Sequence, residues 1–328
     1  MKPISRRACL SVGLGGLSNL PTTRGTAGLA DLFARKRRLP MSTIFKGEDR
    51  FQEIVKKAKK GHWGNLPIGE RTIRFAEELV GVPYTGFTLE IDDHIESPSV
   101  NMKGLDCWTF FEISLGMARM FGYEKSRYHP ADLLREIEFT RYRGGHCTGK
   151  YLERIHYLAE WFYENDARGS IDCITRDLGY ARQIEGRKIS EMTVLWKSYR
   201  YLRNNPELRA PMKQWENYVQ SMPVYYIPKD KVAAIEPKLK SGDIIGIATK
   251  YNGGFCSHVG LANRKKDGVV HFMHASTTYH KVVVDKSISG YLYDFSKHAG
   301  ILVGRPLEVS HTVTKEQEYK ANLKKLIG

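Results

Sequence analysis

The sequence predicts an α+β domain in which an antiparallel sheet packs on a buried helix. One observation is the stretch KGLDCWTFFEISLGMARMFG, residues 103–122. Phe110, Ile113, Met117 and Met120 recur at helical spacing, with Phe111, Leu115 and Ala118 as a second apolar line beside them. A helix apolar on both sides belongs in the middle of a domain. Another is the order of patterns along the chain. Helical periodicity dominates to about residue 220, and short β-rich runs bounded by turn residues follow. Helices first and adjacent strands later describe an α+β arrangement.

Residues 46–62 read as a charged amphipathic helix, and 68–80 as a second with Ile73, Phe75, Ala76 and Leu79 on its apolar side. The second stops at GVPYTG, a glycine–proline turn signal. Residues 87–100 look extended and lead into the apolar helix. From 130 to 220 the pattern is mainly helical, with the clearest segments at 150–165 and 189–204. Strands are expected at 242–249, 257–264, 268–276, 280–285 and 300–306, and a charged tail from Val309 suits a short helix.

Composition narrows the function. The 328 residues are 41% hydrophobic with a mean hydropathy of −0.42, as in an ordinary globular protein. After the N-terminal segment no apolar run approaches the roughly 18 residues of a membrane span. Lysine and arginine outnumber the acids 51 to 36, a net +15 that suits an acidic polymer. No zinc-finger spacing, RNP-like segment or base-reading helix stands out, so nucleic acid is not expected as a partner. Five cysteines without regular spacing give no disulfide framework. The N-terminus carries Ser5-Arg6-Arg7 before a mildly apolar, glycine-rich stretch, with small residues at Ala27 and Ala30. This resembles a twin-arginine export signal. A disordered basic tail, or a start at Met41 that leaves the protein cytoplasmic, is the alternative.

Cys107 opens the buried helix. It reads either as a small core residue or as a sulfur on a first turn, where free backbone N–H groups favour a thiolate. A thiolate needs a base, and His258 and His274 flank the turn KKDG. With a three-residue loop, 265–267, Arg264 pairs with Gly268 and His258 stands across from His274 on one face. A five-residue loop keeps that register, whereas two or four residues put the rings on opposite faces. His271 and His274 face opposite ways, and no H-E-x-x-H motif or zinc-spaced cysteine pair occurs, so no metal or other cofactor is expected. Cys256 is a rival nucleophile that shares a strand face with His258, although no helix terminus stands behind it.

In this order GVPYTG, LDCWTFFE, SHVGLA and MHAST resemble the NlpC-type papain-fold cell-wall cysteine hydrolases. More narrowly, GFTLE, VNMKGLDC, YRGG, ERIHYLAEWF, LKSGDIIGIAT and SHVGLANR resemble the bacterial N-acetylmuramoyl-L-alanine amidase-like family over roughly residues 70–306. The resemblance implies a papain-like domain over 42–308 with a large helical insertion near 123–222. It also implies Cys107 as nucleophile, His258 as base and His274 as the orienting residue. Tyr84 and Asp106 would lie beside the cleft, and Trp108, bulkier than is usual there, would narrow it. The RIHY segment places His156 and Tyr157 on a helix, either lining the cleft or buried as structure. The implied substrate is peptidoglycan or a muropeptide, and the implied activity is amidase or endopeptidase. Acyl transfer, cleavage of a lipid amide, and a wall-binding module without chemistry are the alternatives.

Overall fold

The computed structural model describes residues 39–310 and 314–327, so the expected export signal lies outside the described residues. The main helices are α1 (Glu48–Lys60), α2 (Ile68–Glu77), α3 (Cys107–Met120), α4 (Pro130–Arg141), α5 (Leu158–Ala167), α6 (Arg209–Ser221), α7 (Ile288–Tyr293) and α8 (Glu316–Ile327). The main strands are β1 (Ile171–Cys173), β2 (Tyr225–Pro228), β3 (Ile244–Thr249), β4 (Cys256–Arg264), β5 (Val270–Ser276), β6 (Lys281–Ser287) and β7 (His298–Pro306). The sheet runs β2-β7-β3-β4-β5-β6, with β1 on the far end of β7, the two-residue strand Arg182–Gln183 outside β2, and every pairing antiparallel. The α+β expectation is met: an antiparallel sheet accompanied by many helices.

Each sheet face has its own core. Ile244, Ala248, Val259, Leu261, Met273, Ala275 and Leu302 join the large core shared with the helices. Ile245, Ile247, Ala262, Phe272, Ile301 and Val303 form a second core with α7. Strand alternation accounts for the division. Helix α3 packs against α2, α4, β4 and β5 and is buried from Thr109 to Met120, as its two apolar lines require. Gly116 makes that packing possible, because a Cβ there would come within 3.0 Å of Leu133 and 3.1 Å of Ile137. The polar residues of α3 are paired: Glu112 with Arg141 at 2.8 Å, and Arg119 with Glu136 at 3.0 Å.

The segment around 150–165 departs from the expected continuous helix. A 3-10 turn spans Tyr151–Glu153, the chain then extends, and α5 begins only at Leu158. Arg154 is the physical reason. Its guanidinium is drawn inward to Glu90 and Glu96, while Ile155 N–H bonds Arg141 O at 2.9 Å. The expected helix at 189–204 is likewise two short ones, Glu191–Val194 and Arg200–Asn204.

The family-like motifs outside the site are ties between segments. Glu90 of GFTLE accepts from Tyr151 Oη at 3.1 Å and Tyr201 N at 2.9 Å, as well as from Arg154. In YRGG, Tyr142 donates to Glu96 at 2.7 Å. Arg143 binds Glu160 and the Arg154 carbonyl and lies over the Trp215 ring at 3.8 Å. These contacts fix the helical segment and the loop before α3 to one another, which positions the wall of the site.

Candidate active site

Cys107 is the first residue of α3 because Asp106 caps the helix. Asp106 Oδ1 accepts from Thr109 N at 2.7 Å, and Thr109 Oγ1 accepts from Asp106 N at 3.0 Å. This reciprocal box leaves the backbone N–H groups of Cys107 and Trp108 free of any cap. The other Asp106 oxygen takes a bond from Thr88 Oγ1 at 3.0 Å. Asp106 therefore holds the helix start, and its oxygens are engaged there rather than turned to a ligand.

The hairpin loop has five residues, not three. Arg264 pairs with Val270 and Leu261 with Met273, so the partners sum to 534 rather than 532. His258 and His274 therefore lie on one face but one diagonal step apart, not directly opposite. A five-residue loop preserves the face, while the pairing itself moves by two residues. Diagonal neighbours remain within reach of long side chains, and His258 Nε2 lies 2.7 Å from His274 Nδ1.

The chain continues to a residue that sequence reasoning missed. His274 Nε2 faces Asp285 Oδ2 at 3.4 Å, long for a hydrogen bond. Asp285 ends the HKVVVD run, on the same face as His274 through Val283, the direct partner of His274. A carboxylate can only accept, so Nε2 of His274 carries the proton. Its Nδ1 is then bare and accepts from His258 Nε2–H, which leaves Nδ1 of His258 as the bare nitrogen. Phe272 stacks on His274 at 4.6 Å and Tyr291 of α7 covers His258 at 6.1 Å, so both rings are held in place.

Cys256 and His258 do not share a face. A bulge pairs Ile247 with His258 but Ala248 with Cys256, turning the thiol toward the helical side, where Leu158 and Phe162 pack. The bulge adds one residue at Ser257 and so reverses the expected alternation.

The thiol and imidazole are both neutral at rest, contrary to a preformed thiolate. Burial, then the Asp106 charge, pushes Cys107 up to about 12, against the backbone N–H groups of Val259, Trp108 and Cys107 itself. Burial, then neighbouring His274, holds His258 well below the ordinary histidine value. A helix N-terminus does favour a thiolate, but an ionised cap beside it offsets that help. Asp106→Asn keeps a good capping side chain and removes the charge. The Cys107 pKa should then fall, and carboxymethylation by iodoacetamide at pH 7 should be several-fold faster than in wild type. An unchanged rate would show that burial alone sets the thiol.

One cleft is lined by Cys107, Trp108, His156, Tyr157, Cys256 and His258. Trp108 lines it from the first turn of α3, whereas His156 and Tyr157, expected on a helix, line it from outside one. Tyr157 is the residue preceding α5 and His156 lies before it in extended chain. Tyr157 donates to Glu216 at 2.8 Å, and His156 Nε2 lies 3.2 Å from Tyr151 O. Tyr84 is half-buried outside this lining, and burial, then its nearness to Cys107 and Asp106, pushes its hydroxyl up to about 12. It is therefore a neutral donor beside the sulfur at neutral pH. Glu191 and Tyr199 also line the cleft and were not foreseen. Among the described residues no cluster of three or more metal-ligating side chains occurs, and no helix is long and apolar enough to cross a membrane.

Residues 74–301 match the family model AmiA-like, described as N-acetylmuramoyl-L-alanine amidase-like. No curated protein matches the chain. Among solved structures it is similar to an N-acetylmuramoyl-L-alanine amidase from Bacteroides uniformis. Identity is 31%, coverage 73% of this chain and 99% of that one, and the TM-score 0.66. A proposed xylanase from Bacteroides fragilis is 33% identical, with coverage of 70% and 98% and a TM-score of 0.62. Protein LPG0564 of Legionella pneumophila, at 20% identity, coverage of 79% and 95% and a TM-score of 0.61, shares the fold. With 228 of 328 residues inside the family model, the chain belongs to the N-acetylmuramoyl-L-alanine amidase-like family.

Proposed function

We propose that the protein is a cysteine-dependent amide hydrolase of bacterial cell-wall peptide, with the site arrangement of the NlpC-type papain-fold enzymes. The observation that carries this reading is the His258–His274–Asp285 chain, whose first ring opens on the cleft that also holds Cys107. Nδ1 of His258 takes the thiol proton as sulfur attacks the amide carbonyl, so the charged pair forms only during reaction. The uncapped N–H groups of Cys107 and Trp108, with the neutral Tyr84 hydroxyl, are the donors for the oxyanion. His258 then protonates the leaving amine. Water, activated by the same ring, cleaves the thioester to the acid and restores the thiol.

The family name favours the bond between the lactyl group of muramic acid and L-alanine. A glycosidase reading, as for the Bacteroides fragilis relative, would call for two carboxylates flanking the bond. Glu191 is the sole carboxylate among the described residues lining this cleft. Export through the Ser5-Arg6-Arg7 segment would bring the enzyme to its substrate, and is part of the proposal.

The test is digestion of purified wall fragments followed by mass spectrometry. Amidase action releases an intact stem peptide with a new L-alanine amine, and endopeptidase action releases shortened peptides. New reducing sugar ends without any new amine would overturn the proposal.

A further inference from the structure

Beside the cleft runs a second groove of about 610 Å³, lined among others by Arg187, Lys188, Lys213, Asn217, Gln220 and Phe255. Phe255 also lines the catalytic cleft, so the two adjoin. Arg187 makes a second link, because its charge reaches Cys256 in the cleft wall. None of the groove-lining residues is acidic.

The donors here are arranged rather than scattered. Arg187 is clamped by the carbonyls of Tyr251 and of Thr249, the latter at 2.6 Å, while its Nε is buried without a partner. Gln220 gives its oxygen to Ile189 N–H at 2.9 Å, which leaves its NH₂ as a donor. Lys213 lies 3.5 Å from Glu216, but that carboxylate is turned inward to Tyr157 and to Thr193 N at 3.0 Å. Lys188 is held by its backbone N–H, 3.0 Å from Asn252 Oδ1, and among the described residues no partner engages its ammonium. Arg187, Lys188 and a free amide, with Lys213 shared with Glu216 behind it, form a site for anionic groups.

We propose that this groove is an anion subsite that holds free carboxylates of the peptide whose amide lies at Cys107. The proposal rests on the cell-wall hydrolase reading and names what that substrate must carry. With the groove and the cleft backed by the same buried Phe255, carboxylates held in the groove would fix which amide reaches the sulfur. Arg187 is a rigid cation, and Lys188 and Lys213 are flexible ones.

The test measures binding to full-length Cys107→Ala, where no turnover intervenes. The probes are a labelled wall peptide with free carboxylates and its carboxamide twin. The free acid should bind about tenfold more tightly, and most of that difference should vanish in the added Lys188→Gln/Lys213→Gln background and in high salt. Equal affinity for the two peptides, or a double variant that binds the free acid as well as its parent does, would overturn the proposal. So would a glycerol phosphate polymer that displaces the free acid more readily than the unlabelled acid itself does. The two readings fail separately. If the free acid binds selectively but wild type leaves it uncut, the hydrolase reading fails and the subsite stands. If wild type cuts both peptides with one KM, the subsite fails and the hydrolase stands.

Discussion

Cys107→Ala should lower turnover of wall peptide by about 10⁴-fold or more, because a covalent route is lost and not merely weakened. Cys256→Ser should lower it only a few-fold. Both thiols line the cleft, and burial pushes both up to about 12, so neither proximity nor acidity separates them. Geometry does. Cys107 sits where uncapped helix N–H groups converge, with Tyr84 and the His258 ring nearby. The bulge at Ser257 turns Cys256 to the opposite face of the sheet from His258 and packs it near Leu158 and Phe162. Cys107→Ala removes a half-buried sulfur and leaves the Asp106 cap untouched, so its thermal midpoint should stay within a few degrees of wild type. Turnover that survives Cys107→Ala and disappears in Cys256→Ser would reverse the assignment.

What the sequence made legible was periodic. The buried helix showed in its two apolar lines, and strands β3 to β7 showed in alternation and turn residues. The shared face of His258 and His274 follows from parity alone, which is why an error of two residues in loop length did not disturb it. What stayed hidden was set by departures from periodicity or by distance along the chain. A single extra residue at Ser257 reverses the orientation of Cys256, and no residue type marks it. The extended entry to α5, which carries His156 and Tyr157, is imposed by Arg154 reaching Glu90 and Glu96 more than fifty residues earlier. The neutral thiol depends on how burial and a capping carboxylate weigh against backbone N–H groups, a balance that a motif does not express. Asp285 was invisible for the simplest reason: one acid at the end of a strand looks like any turn residue until β6 is paired with β5.

The same residue gives the sharpest test of the mechanism. Asp285→Asn should lower kcat by about 10²-fold or more with KM little changed, and Asp285→Ala should be the less damaging of the two. The difference lies in protons. An asparagine amide can donate to His274 Nε2, which moves the His274 proton to Nδ1 and then forces His258 to accept it at Nε2. The remaining proton of His258 then sits on Nδ1, the nitrogen that must be bare to accept from sulfur. Alanine removes the carboxylate and imposes no wrong tautomer. His274→Ala breaks the chain one step earlier, deleting the 2.7 Å contact to His258 Nε2, and should cost roughly 10²- to 10⁴-fold. His274→Gln or His274→Asn should recover part of that, because either amide oxygen accepts from His258 Nε2–H. His271 offers a control, since its Nδ1 lies 2.7 Å from the backbone carbonyl of Asp285 and it braces β6 from the other side. His271→Ala should lower the thermal midpoint more than it lowers kcat. If Asp285→Asn turned over like wild type while His271→Ala abolished activity, the proton chain would run through the other histidine, and the tautomer derived for His258 would be wrong.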